Sequence, residues 1–289
     1  MIEPVIVTNI NCSIGENPLW YPKEKSLYWL DIPVGIIYKY NPQREIVKKV
    51  FEGNTVVGGF TIQENGSILL FMEKGAVKIW QDSKLINLID YTPILKNTRF
   101  NDVIADPYGR VFCGTMPDEN GVAYLFLLDT DGELKLILDN IGLANGMGFS
   151  PDKKKMYFTD SKKGEIYIFD YNKEDGSLSN QKVFVKVEEQ GIEPDGLTVD
   201  SEGYVWSARW NGGCVKRYNP EGKEVMRIDL PTKKITSLTF AGEGYQDIYI
   251  TSAVGEEGDQ SKENEAGALF YLKSSGFIGL PENNSKVCI

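Results

Sequence analysis

The chain has 289 residues, 42% of them hydrophobic and 25% charged, with a formal net charge of −10 and no histidine. That balance supports a large buried core and argues against global disorder, while a field of that sign repels phosphate backbones and argues against nucleic acid as a partner. Without histidine there can be no Ser-His-Asp triad, no Cys-His dyad and no imidazole-ligated zinc or copper, so acid–base work near neutral pH falls to carboxylates, Lys, Tyr or metal-bound water.

Pro4 to Asn9 alternates apolar and polar residues, the pattern of a half-buried strand. It is expected to supply the outer strand of the last structural unit and so remove an exposed edge. From Glu16 onward one pattern recurs six times: a polar or small residue opens an apolar strand, a turn follows, then a second apolar strand rich in aromatics. The opening residues are Glu16, Gly58, Asn101, Asn145, Asp195 and Thr236. The middle residues of the second strands, Tyr28, Leu69, Phe112, Tyr157, Trp206 and Tyr249, lie 41, 43, 45, 49 and 43 residues apart. A period in the forties with short strands and frequent turns is the signature of a propeller. A third strand follows, usually after a glycine, as in Gly35-Ile36-Ile37-Tyr38 and Gly213-Cys214-Val215-Lys216, and a short outer strand completes the unit. No stretch sustains a helical period. The expectation is an all-β, six-bladed β-propeller of four-stranded blades around a central channel, one domain over residues 1–289. In the sixth blade Gly255 to Glu265 is polar and acidic without periodicity, read as a mobile loop and, more boldly, as a lid.

Cys12, Cys113, Cys214 and Cys288 form no C-x-x-C pair. Nothing approaches eighteen consecutive apolar residues, and the first residues lack a basic region followed by an apolar run. The expectation is a cytoplasmic protein with free thiols and no membrane association.

In a propeller the starts of the innermost strands converge on the channel. Glu16, Asn101, Asn145 and Asp195 therefore direct two carboxylates and two carboxamides at one axis, from four blades. Two carboxylates meeting there repel each other, and a hard divalent cation with oxygen ligands removes the conflict. The competing reading is local, since Asn145-Gly146 and Asp195-Gly196 are also ordinary turn dipeptides. Arg99 precedes Asn101 by two and falls on the same face of an extended strand. Asp118 and Glu119 follow in a loop.

These residues lie in longer motifs: G-E-N-P-L-W from Gly15, R-F-N-D from Arg99, D-P-Y-G-R-V-F-C-G-T-M from Asp106, A-N-G-M-G-F-S-P-D from Ala144, P-D-G-L-T-V-D from Pro194 and V-W-S-A-R-W-N-G-G from Val205. Through them the chain resembles, over essentially its whole length, the senescence marker protein-30, gluconolactonase and luciferin-regenerating enzyme family. The resemblance implies a propeller that hydrolyses a small-molecule sugar lactone with one divalent metal. It maps the metal ligands to Glu16, Asn145 and Asp195 and the general base to Asp195. Asn101 would contact metal through water or bind substrate, and Arg99 and Glu119 match positions that hold sugar hydroxyls. All-oxygen ligation suits Ca²⁺, Mg²⁺ or Mn²⁺, and the resemblance also permits Zn²⁺ and Fe²⁺. The alternative is a non-catalytic, metal-stabilised propeller that binds a small molecule or a protein. Paraoxonase-type relatives use channel histidines, which this chain lacks. Oligomeric state is not readable.

Overall fold

The computed structural model describes residues 3–254 and 265–288. Among them are six four-stranded antiparallel sheets, the blades of a β-propeller. The innermost strands are Gly15–Tyr21, Val57–Ile62, Phe100–Ala105, Ala144–Phe149, Glu193–Val199 and Ile235–Ala241. Each packs against the innermost strands on either side, and the last meets the first. The aromatic and apolar residues that set the period, from Tyr28 to Tyr249, all lie in second strands.

Each blade is sandwiched between neighbours, so both faces of its second strand are apolar, and the two-residue alternation distributes them. In blade 1, Tyr28 and Leu30 face blade 2 and pack with Phe60 and Leu70. Leu27 and Trp29 face the other way, toward Tyr249 and Leu269 of blade 6.

Val5–Thr8 pairs antiparallel with Leu269–Leu272 and becomes the outer strand of blade 6. The first strand thus joins the last blade, and blade 6 has no free third-strand edge. Beyond Leu272 the chain does more than finish a blade. Ile278 accepts from Ser201 N–H at 2.8 Å, Asn284 Nδ2 donates to Ile62 O at 3.0 Å, and Lys286 N–H donates to Gly109 O at 2.8 Å. This tail ties blades 5, 2 and 3 together at the end of the ring opposite the strand starts. The 255–265 insertion lies outside the described residues except for Glu265.

Two of the longer motifs are structural. Asp106 accepts from Tyr108 and Arg110 backbone N–H, and its other oxygen takes Arg110 Nε at 2.6 Å and Tyr171 O–H at 2.8 Å. Asp200 does the same work in blade 5, with Arg217 and Trp206 Nε1. Each is a buried ion pair whose spare lone pairs are satisfied, the condition under which such a pair is tolerable. The four cysteines are free, three buried and Cys288 exposed. Among the described residues no helix is long and apolar enough to cross a membrane.

At points near the axis neighbouring innermost strands approach so closely that a side chain has no room. A Cβ on Gly58 would lie 1.9 Å from Phe100 O, and one on Gly196 2.2 Å from Ser237 Oγ. Asn145-Gly146 and Asp195-Gly196 therefore do not make turns: both pairs lie within strands, neither glycine has positive φ, and glycine is there for room. Gly58→Ala is expected to lower stability by about 1–3 kcal/mol through this overpacking. Urea melts of wild type and variant read it directly, and unchanged midpoints would mean the inner strands can spread at no cost.

Candidate active site

All six innermost strands break register just where they start. The shifts fall between Glu16 and Leu19, Val57 and Gly59, Phe100 and Val103, Ala144 and Met147, Pro194 and Leu197, and Ile235 and Ser237. A β-bulge leaves a residue unpaired and re-aims its side chain. Here the same device, repeated round the ring, sits at the strand starts from which Glu16, Asn101, Asn145 and Asp195 project.

These four side chains line one cavity of about 620 Å³ together with Arg99. Each of the four is only 6–7% exposed. The remaining two slots do other things. Gly58 presents no side chain, and Thr236 turns its hydroxyl to Gly15 O at 2.5 Å, joining blade 6 to blade 1.

Glu16 is positioned by its neighbour, whose backbone N–H donates to Oε2 at 2.6 Å. That neighbour, Asn17, has φ of 52°, and its Oδ1 accepts from Phe60 N–H at 2.6 Å, so the turn carrying Glu16 is fastened to blade 2. Arg99 Nη1 donates to Phe100 O at 2.9 Å and to Asn101 Oδ1 at 2.8 Å. Both Nη1 protons are thereby used, leaving Nε and Nη2 for a ligand. Asn101 Nδ2 donates to Ala144 O at 2.9 Å and to Asn145 Oδ1 at 3.2 Å. Asn101 thus has only acceptor capacity left, at Oδ1.

Glu119 is not brought to this cavity. Its carboxylate accepts from Asn97 Nδ2 at 2.8 Å on an exposed turn, which Asp118 caps by accepting from Asn120 and Val122 N–H. Three features of the site escaped sequence reasoning. Lys162 and Glu193 form a 2.8 Å ion pair at the mouth. Ser161 binds Asn145 Nδ2 from behind. Asp102 stands one residue beyond Asn101 and acts electrostatically on both Glu16 and Asp195. Glu193 was within reach of the two-residue alternation, since it precedes Asp195 by two. Asp102 closes the R-F-N-D motif without a role being read for it, and nothing in the sequence marks Ser161.

Burial pushes the Glu16 carboxyl well above the usual carboxylate range, and the charges of Asp195 and Asp102 push it further. Burial does the same to Asp195, with Asp102 and Glu193 adding to it against Gly196 N–H and Arg209. Asp102 is pushed up to about 7, chiefly by burial. Without a counter-charge this is a site that holds protons. The donors on offer are two carboxylates and an amide oxygen, with no imidazole or thiolate, and that chemistry fits a hard divalent cation. Among the described residues no three His, Cys, Asp or Glu side chains gather as a metal-binding group; the set has two carboxylates, and its third oxygen comes from Asn145.

Residues 14–254 match the model of the SMP-30/gluconolactonase/LRE-like region. The chain is 43% identical to pentonolactonase XacC of Haloferax volcanii over 97% of each protein. It is 34% identical to regucalcin of Sus scrofa over 94% of each. Among solved structures, the calcium-binding protein regucalcin from Agrobacterium tumefaciens superposes with a TM-score of 0.90 at 21% identity, over 98% of this chain and 97% of that one. At that identity the likeness shows the fold.

The raised carboxyls make stability depend on pH in a definite sense. In the unfolded chain these groups titrate near pH ~4. In the folded, metal-free protein they keep their protons to higher pH, so the stability they contribute is full below about pH 4 and is lost as pH rises through the raised values. Metal-free protein is expected to melt roughly 5 °C higher at pH 5.5 than at pH 8, and Asp195→Asn should flatten the difference. Calorimetry in the presence of a chelator measures this; a higher melting temperature at pH 8 would contradict it.

Proposed function

The chain belongs to the SMP-30/gluconolactonase/LRE-like family, and from that premise we propose that it is a metal-dependent sugar lactonase, opening an aldonolactone of the gluconolactone or xylonolactone type to its aldonic acid. The observation that carries this reading is the convergence of Glu16, Asn145 and Asp195 on one cavity that Arg99 and Asn101 also line. The similarity to a pentonolactonase weights the substrate toward a five-carbon lactone.

Glu16, Asn145 and Asp195 would hold one divalent cation, Ca²⁺, Mg²⁺, Mn²⁺, Zn²⁺ or Fe²⁺, whose chemistry when bound is Lewis acidity toward the lactone carbonyl. The protein's own groups do the rest. Arg99 offers Nε and Nη2 to hydroxyl oxygens of the sugar. Asn101 Oδ1 accepts from a hydroxyl or from a water. Asp195 takes the proton of the attacking water at a carboxylate oxygen and returns it to the ring oxygen as the acyl C–O bond breaks. The bound cation would offset the rise in proton affinity that burial gives Asp195 in the metal-free site, so the assignment rests on the place of its carboxylate in the cavity wall beside Glu16 and Asn145. Holding the ring by its hydroxyls can supply several kcal/mol of the barrier. Glu119 joins these contacts only through a movement of its exposed turn toward the cavity.

The test is a pH-indicator assay of glucono- and xylonolactone opening, with chelator-stripped protein refilled with single cations. Acid release above the spontaneous rate should disappear on stripping and return with metal; no metal-dependent rate on any aldonolactone, from folded and loaded protein, would sink the proposal. Asp195→Ala is expected to lower kcat at least 100-fold while the fold survives. Arg99→Ala should act mainly by raising KM, and a loss confined to kcat would argue against ground-state binding of hydroxyls.

A further inference from the structure

Along the cavity wall runs a chain of hydrogen bonds that crosses three blades in one direction. Arg99 Nη1 donates to Asn101 Oδ1 at 2.8 Å, and Asn101 Nδ2 to Asn145 Oδ1 at 3.2 Å. Asn145 Nδ2 donates to Ser161 Oγ at 3.0 Å, and Ser161 O–H to Pro194 O at 2.7 Å. The two ends fix its polarity. A guanidinium can only donate, and a proline carbonyl can only accept. Of the groups between, the Asn101 amide is settled by the Arg99 donor and the Ala144 carbonyl, while the Asn145 amide could be turned end for end and the Ser161 hydroxyl could act either way. Because Pro194 takes its proton, Ser161 must accept from Asn145. That leaves the amide of Asn145 one orientation, with nitrogen toward Ser161 and oxygen toward Asn101.

Ser161 is 2% exposed and lies in the cavity wall beside Asn145. It also spans the two strands that carry Asn145 and Asp195, since Pro194 immediately precedes Asp195. We propose that Ser161 is a positioning residue of the cation site: with Asn101 Nδ2 on the other side, it fixes the amide orientation in which Asn145 presents an oxygen rather than an N–H, and holds that oxygen in register with Asp195. This rests on the reading of Glu16, Asn145 and Asp195 as cation ligands, but not on lactone being the substrate.

Groups that orient a metal ligand through its far side typically account for 10–100-fold in metal affinity. The test is calorimetric titration of the full chain with Ca²⁺ and with Mn²⁺. Ser161→Ala should weaken cation binding about 10–100-fold, and Ser161→Thr, which keeps the hydroxyl, should restore it. The discriminating background is Asn145→Asp, in which either orientation of the side chain presents an oxygen. There Ser161→Ala should cost about threefold or less, because orientation no longer matters. An equal loss in both backgrounds would make Ser161 a plain strut and overturn the proposal, as would unchanged affinity in folded Ser161→Ala. If Ser161→Ala does not fold, Ser161→Cys takes its place, being close in volume and a weak acceptor, and is held to the same tenfold loss. Wild-type protein that binds cation but opens no lactone would remove the proposed activity and leave this inference standing. Wild-type protein that binds neither cation would overturn both.

Discussion

Glu16 and Asp195 are carried to the axis by strands from blades 1 and 5, and both are buried there. Each raises the cost of ionising the other, and Asp102 adds a third negative charge close by. Arg99 is the cation that bears on Glu16, and one of its terminal nitrogens is committed to Asn101 and the backbone. A group of this kind must hold protons or a metal ion, and the rest of the architecture follows from bringing it together. The bulges at the strand starts aim the side chains inward. The fastening of Asn17 to Phe60 N–H keeps the Glu16 turn from drifting. The one-way hydrogen-bond chain decides which atoms of the two carboxamides face which neighbours.

The ring tolerates so many polar groups at its centre because its cohesion lies elsewhere. Apolar residues of alternating second strands fill the wedges between blades, and these wedges hold the largest buried side chains, among them Trp29, Trp206, Phe112 and Phe158. Where neighbouring innermost strands touch there is room for little beyond backbone, and glycine recurs there. The sheet that receives Val5–Thr8 ties the beginning of the chain to blade 6. The tail crosses the far end and fastens three other blades. The strand-start end is left as the mouth of the cavity, where Lys162 and Glu193 pair.

The sequence by itself determined the blade count and the strand order. A repeat in the forties leaves one solution when every copy shows apolar alternation and turn residues, since each blade must bury two faces against like neighbours. It also determined which residues head the innermost strands, because equivalence within a repeat is a one-dimensional property. That is why Glu16, Asn101, Asn145 and Asp195 could be read as one group while lying up to 179 residues apart in sequence. Arg99 was legible for the related reason that a strand alternates.

Tertiary structure alone decided what each of those heads does. Thr236 has the same place in the repeat as Asp195, yet its hydroxyl is taken by Gly15 O, a distance set by how the ring closes. Glu119 lies on a turn whose direction no repeat fixes, and Asn97 holds it outside the cavity. Asn145-Gly146 reads equally well as a turn or a strand until the neighbouring Asp195 strand is present to exclude a side chain. Ser161 was invisible for the deepest reason: its hydroxyl can donate or accept, and only the carbonyl of a residue from the next blade settles which.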